Sequence, residues 1–435
     1  MRYIDRWMLL LLAVLLTACH SSDEDSSDQN CYLDIYVYAP DRPIVTRGDV
    51  GEVDPLSDSD GAEKTVHSLQ IWVFKSNGGD KVGYLGVDAT SAEYADPTFL
   101  NKTGQQKYRM KVAKEFADHP EAVDVYVVAN TSSCDLTSLG ENTKRSELEA
   151  AKIGTGYFGT TSLYNKDDLA PSGRITTNGL PMSAVEKNQP IYGSFPSLRI
   201  GSETEMTTLK LTRAVSKLRF VLCRIKETEQ VTKRFSSIDA IELNGSQIPT
   251  QTFLMPGPSV YSTYETEAIK YVSESNKLRP GSIREVANPL IYAYETQSAQ
   301  VYEDLIKHAA DADNTRKEAN LAWLKQYGDD NGLTELSSLN TNDLPQLTQL
   351  GLTYLRESDK QLTGTIKYTY SEGSVDHQET VTFSMAAPGD FLRNHSWIIY
   401  IFYMDTKIHV QVVTDIGMKI WTPDGGEENV IVHNW

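Results

Sequence analysis

The sequence predicts a mainly β protein, and three observations carry that expectation. Short runs of alternating or β-branched residues recur along all 435 residues, and clusters of Gly, Asn, Asp and Ser punctuate them. Helical periodicity, by contrast, is confined to two stretches. Many short strands divided by turns point to stacked sandwiches or barrels, and the length suits two domains.

Taken in order, the chain opens with Arg2 and Arg6 and an apolar run from Trp7 to Leu16. A charged start, a short apolar segment and small residues at its end make residues 1–18 a secretory signal; a membrane span needs about 20 apolar residues. Leu16-Thr17-Ala18-Cys19 resembles the bacterial lipobox, which makes Cys19 the expected lipidation site and first mature residue. Residues 20–28 are polar and acidic, unable to bury a core, and read as a solvated tether. They also resemble the acid-rich tag of surface-exposed Bacteroidetes lipoproteins.

Residues 31–39 alternate strictly, with Leu33, Ile35, Val37 and Ala39 on one face and Tyr32, Asp34, Tyr36 and Tyr38 on the other. That is a half-buried strand. Residues 66–74 form another, stopped at Ser76-Asn77-Gly78-Gly79, and residues 122–130 are apolar almost throughout, as a central strand requires. Residues 144–153 carry Leu148, Ala151 and Lys152 at helical spacing. Further strands are expected at 208–225, 237–243, 288–295, 362–370, 379–385, 396–404, 408–416, 418–421 and 429–435. Residues 299–327 repeat apolar side chains at three and four, with neither Gly nor Pro, and read as a helical insertion.

The formal charge is −18; removing residues 1–18 deletes Arg2, Arg6 and Asp5, a net +1, and leaves −19. That balance argues against nucleic acid as a partner and against an anionic membrane face. Cys31, Cys134 and Cys223 lie far apart, without metal-ligand spacing or a disulfide framework. Gly154, Gly156 and Gly159 have dinucleotide-loop spacing, but the stretch before them is helical and no helix follows. The eight histidines are scattered, and no serine sits in a nucleophile elbow. The expectation is a protein without catalytic residues, cofactor or metal.

Arg47-Gly48-Asp49 could be read as an adhesion tripeptide, but its position is more informative. Arg47 follows the first strand, and residues 48–62 are rich in Gly, Asp and Ser, where proteolysis is easy. A trypsin-like cut between Arg47 and Gly48 would remove the lipid, the tether and one whole strand.

In this light the chain resembles the fimbrillins, pilin subunits of Bacteroidetes type V pili. The resemblance is carried, in order, by Cys19, the first strand, Arg47, and residues 69–74, 125–130, 179–183, 209–218 and 391–397. It covers nearly the whole chain, apart from residues 299–327. What it implies is two tandem transthyretin-like β-sandwich domains, here 48–215 and 216–435, behind a signal (1–18) and a tether with removable strand (19–47). It also implies transport as an outer-membrane lipoprotein, arginine-specific removal of the first strand at the cell surface, and refilling of the groove by a strand of another subunit. An unpaired strand groove invites strand addition. Residues 429–435 are the candidate donor, with Val430 and Val432 on one face, Ile431, His433 and Trp435 on the other, and Gly425-Gly426 as a hinge.

The function expected is a structural subunit, stalk or tip, of a surface pilus that supports adhesion. Its partners would be other pilin subunits in a homo- or heteropolymer, with a host or bacterial surface ligand beyond them. Two alternatives stand beside it. One is an anchor subunit that keeps its lipid; the other is a surface glycan-binding lipoprotein, for which 23 tyrosines and six tryptophans supply aromatic platforms.

Overall fold

The computed structural model describes residues 30–39, 65–88, 91, 104–134, 136, 138–153, 179–225, 232–257, 260–283, 285–286, 321–322, 325–326, 329–330, 332, 348–349, 353–386, 391–404, 407–414, 417–421 and 427–431. Cys19, Arg47, Gly48, Val432 and Trp435 lie outside these, as do the glycine triplet at 154–159 and the strand expected at 288–295. Most of 299–327 does too, although residues 321–322 and 325–326 are helical.

The first half contributes β1 (Cys31–Ala39), β2 (Ser68–Lys75), β3 (Lys81–Asp88), β4 (Gly104–Val112), β5 (Val123–Ala129), β6 (Lys152–Ile153), β7 (Met182–Gln189), β8 (Ile191–Ser194), β9 (Ser197–Ile200), β10 (Thr208–Lys210) and β11 (Thr212–Arg213). Its two short helices are α1 (Lys114–Asp118) and α2 (Arg145–Ala150). The strands form two sheets, one ordered β10-β1-β9-β8 with β4 also on β1, the other β11-β7-β5-β2-β3.

β5 is buried at every position because both its faces are covered. Trp72 donates its indole N–H to the Gly140 carbonyl (2.8 Å) and the Tyr126 hydroxyl bonds Glu149 of α2 (2.6 Å), so the segment around α2 roofs that face. Alternation turns Leu69, Ile71, Val73, Val125 and Val127 the other way, into one core with Leu33, Ile35 and Val37. The helix expected over 144–153 is shorter than its periodicity. Glu147 accepts the Lys144 N–H (2.8 Å) at the start, and after Ala150 the chain turns extended to pair as β6.

The second half contributes β12 (Ser216–Ile225), β13 (Lys233–Leu243), β14 (Thr252–Phe253), β15 (Ile269–Val272), β16 (Glu285–Val286), β17 (Thr348–Gln349), β18 (Thr353–Leu355), β19 (Leu362–Glu372), β20 (Val375–Ala386), β21 (Ser396–Met404), β22 (Lys407–Thr414), β23 (Gly417–Trp421) and β24 (Glu427–Ile431). One sheet runs β16-β12-β21-β22-β23-β24, with β17 and β18 also on β12, and the other runs β15-β13-β19-β20. Between them lies a second core, built from Leu218, Phe220, Ile366, Tyr368, Ile399 and Ile401 among others. The fold is mainly β.

Residues 208–225, expected as one strand, are three: β10 pairs with β1, β11 with β7, and β12 starts the second half. The break at Ala214-Val215 carries the chain between sheets, and periodicity alone could not show it.

Three segments quoted for the family resemblance meet at this break. Ala214 donates its N–H to the Pro181 carbonyl (2.9 Å), Asn394 to that of Val215 (2.7 Å) and Lys217 to that of His395 (2.9 Å). Arg393, 8 % exposed, is paired with buried Glu357 and donates to the carbonyls of Phe253 (2.7 Å) and Leu254 (2.9 Å). Leu254 and Met255 in turn pack in the first core, and β14 pairs with β6. Asn130 works similarly inside the first half: its side-chain amide donates to Thr65 (2.9 Å) and Leu180 (2.7 Å). Gly179 sits at φ 70° directly against that amide, where a Cβ would collide.

Candidate functional site

The removable-strand reading makes the surroundings of β1 the place to look. β4 (Gly104–Val112) pairs antiparallel with it over its whole length, from Cys31 opposite Val112 to Ala39 opposite Gly104. The other edge is shared by two parallel strands: β9 meets Tyr32, Leu33 and Asp34, and β10 meets Tyr36, Val37 and Tyr38. The Tyr32 N–H also reaches the Pro196 carbonyl (3.0 Å), and Leu211 donates to that of Tyr38 (2.9 Å). β1 therefore occupies a lane with a wall on each side.

The inner face of the lane is apolar. Leu33 and Ile35 are 0 % exposed and Val37 2 %. Leu33 lies between Met110 and Leu198, Ile35 opposite Tyr108, and Val37 opposite Leu209, all of them buried. Ala39 ends the strand opposite Gly104.

The outer face is cationic and aromatic. Along β1, Tyr32 stands opposite Lys111, Asp34 opposite Arg109 and Arg199, Tyr36 opposite Lys107, and Tyr38 opposite Lys210. Asp34 accepts two hydrogen bonds from the Arg109 guanidinium (2.7 and 3.0 Å), with the Lys107 ammonium 3.7 Å away. Burial by itself would raise the Asp34 pKa; the bonds and charge of Arg109, helped by Lys107, outweigh it and hold the carboxyl below its ordinary value. Arg109 also lies over the Tyr32 ring and Arg199 over that of Tyr192. Gln105 of β4 and Thr208 of β10, on opposite walls, are joined by a 2.8 Å hydrogen bond that spans the lane.

The candidate donor is placed differently. Val430 and Ile431 belong to β24, at the edge of its own sheet, which pairs with β23 through Met418 opposite Ile431 and Lys419 opposite Val430. Cys31, at the head of β1, is a free, buried cysteine.

The Asp34–Arg109 fork escaped the sequence reading because β4 was not expected as a strand. A signal was present: residues 107–112 alternate Lys, Tyr, Arg, Met, Lys, Val, cations on one face and apolar groups on the other.

No protein-family model matches the chain, and no curated relative does. Similar solved structures exist at low identity. A candidate cell adhesion protein from Parabacteroides distasonis is 14 % identical at a TM-score of 0.46, covering 88 % of this chain and 97 % of that one. A tip fimbrial protein from Porphyromonas gingivalis, with C-terminal truncation, is 16 % identical at 0.38, over 88 % and 99 %. A fimbrial assembly protein from Parabacteroides distasonis is 10 % identical at 0.39, over 90 % and 99 %. The chain is thus similar to fimbrial and cell-adhesion proteins of Bacteroidetes.

Proposed function

We propose that this chain is a structural subunit, stalk or tip, of a cell-surface pilus that supports adhesion, and that it polymerises by strand replacement. In this reading Cys19 carries a lipid that brings the precursor to the outer membrane. A protease cuts between Arg47 and Gly48, β1 leaves with residues 19–47, and a strand of another subunit takes its lane. Residues 48–215 and 216–435 are the two sandwich domains, and Val430, Ile431, Val432 and Trp435 belong to the strand given to a neighbour.

One observation supports this above the others. β1 is flanked on both edges and buries Leu33, Ile35 and Val37, yet its covalent link to the strands that follow runs through residues 40–64, which contain Arg47. A single cut there converts a covalent strand into a bound peptide. Vacated, the lane would present two rows of unpaired backbone groups over an apolar floor, the surface to which an extended strand adds.

N-terminal sequencing of the protein taken from the cell surface tests the reading. Gly48 as first residue supports a polymerising subunit. A lipid-modified Cys19 on the displayed protein overturns the cut and leaves an anchor that retains its own strand.

A further inference from the structure

We infer that the lane of β1 selects its occupant by charge: it takes a β-strand from a different protein chain, one with a carboxylate between two inward apolar residues, seated where Asp34 now lies. The inference rests on the strand-replacement reading above and names the partner that reading leaves open.

The apolar floor does not discriminate, since any alternating strand offers side chains to Met110, Tyr108, Leu198 and Leu209. The rim does. Lys107, Arg109 and Lys111 on β4, Arg199 on β9 and Lys210 on β10 line one face of a chain whose formal charge is −18. Asp34 is the carboxylate that β1 places among them, 8 % exposed and held by the two-point fork of Arg109. When β1 leaves, the Arg109 guanidinium gives up the Asp34 carboxylate and stands between Lys107 and Lys111 on the same face of β4, while Arg199 stays on the carbonyls of Ser202 (2.9 Å) and Glu203 (2.6 Å). Like charges along one face of β4 disfavour one another, and a neutral occupant forgoes the two charge-assisted hydrogen bonds that a carboxylate makes to Arg109.

The same contact sets register. A slip of one residue turns the carboxylate into the apolar floor, which is costly without a partner. A slip of two exchanges the planar fork of an arginine for the point charge of Lys107 or Lys111, with one fewer oriented hydrogen bond. Only one register satisfies both the floor and the fork.

The chain's own tail lacks this pattern. Its carboxylates, Glu427 and Glu428, stand together ahead of the apolar residues, and the segment Val430-Ile431-Val432 has none between them. In β1 the corresponding triplet is Leu33-Asp34-Ile35. A second copy of this chain is therefore a poor occupant, and the polymer passes through a different subunit at this point.

The test uses the full chain nicked after Arg47, with the β1 fragment still seated, and measures its displacement by nine-residue fluorescent peptides. The peptide of residues 31–39 should displace it best. Asp34→Asn should weaken binding about tenfold and Asp34→Lys about a hundredfold, the range expected for a charge-assisted bond lost or reversed. The tail peptide 427–435 should compete poorly, and Ile431→Asp within it should improve it about tenfold, against its lost apolarity. In a chain carrying Arg109→Asp, the peptide with Asp34→Lys should regain preference over the native one. Equal displacement by the native and the Asp34→Lys peptides overturns charge selection and leaves strand replacement standing. Failure of every peptide, the native one included, overturns strand replacement and charge selection with it.

Discussion

The first and last strands among the described residues, β1 and β24, each overlap a segment read as a strand from sequence, 31–39 and 429–435, and the fold treats them oppositely. β1 has a neighbour along each edge and sends Leu33, Ile35 and Val37 into the first core. β24 lies at a sheet edge and, among the described residues, pairs with β23 alone, with a register shift between Lys419 and Trp421. The sequence reading rates the two segments alike. The difference teaches that a strand's worth to the fold is set by how many lanes it closes. A removable strand that is central leaves a hole with strong demand for a replacement, whereas a peripheral one can leave at little cost.

The largest effect expected from this contrast is on stability after β1 is cut and stripped away. Burying an aliphatic side chain is worth roughly 1.5–3 kcal/mol, so loss of Leu33, Ile35 and Val37 should remove about 5–9 kcal/mol from the first half. Urea unfolding of the precursor and of the stripped chain measures it. Coincident midpoints would mean that β1 is not structural.

A second, smaller effect comes from a single truncation. Ile35→Ala, at a fully buried site, should cost about 2–5 kcal/mol in the precursor, depending on how far Tyr108 and its neighbours relax. Val430→Ala, on the edge strand, should shift the midpoint far less. Equal losses at the two positions would erase the distinction between central and edge strands.

Acid sharpens the comparison further, because the folded Asp34 carboxyl titrates below its ordinary value. Its contribution to stability is in place above the unfolded pKa of about 3.9 and fades as pH falls through the lower folded value. Asp34→Asn should therefore flatten the acid limb of the precursor's stability profile and bring it towards that of the stripped chain, which has no residue 34. An identical acid limb in wild type and variant precursors would show that the fork adds nothing to the hold on β1.

Much of this contrast could be read in the sequence, and the unread part has a physical cause. Strands at 31–39, 66–74, 122–130 and 396–404 were evident because their side chains alternate or are buried on both faces, a local signal. The lane was not, since β4, β9 and β10 reach β1 from far along the chain and pairing leaves no local trace. β3 was hidden by Gly83 and Gly86, which interrupt its alternation, and β8 by a mostly exposed sequence. The segments quoted for the family resemblance were visible as text; only the structure gives some of them a reason, by gathering residues 179–183, 209–218 and 391–397 at the joint between the two cores. The fork on Asp34 fell between these cases: one partner lay in a strand that was expected, the other in one that was not.

The smallest effect on stability, and the sharpest on assembly, should come from removing residues 427–435. Among the described residues β24 supplies one edge of pairing to β23 and closes no lane, so its loss should move the unfolding midpoint only slightly. If the same residues form the strand given to a neighbour, the truncated subunit should nonetheless vanish from detergent-stable, high-mass species extracted from the cell surface. Val432→Asp should act almost as strongly, because a charge pressed into an apolar slot goes unpaired. The two readouts separate a donor strand from a merely structural one. A truncation that unfolds the second core makes β24 essential to this subunit's own fold and not a free donor, while a stable truncation that still enters the high-mass species moves the donor to another strand of the C-terminal half.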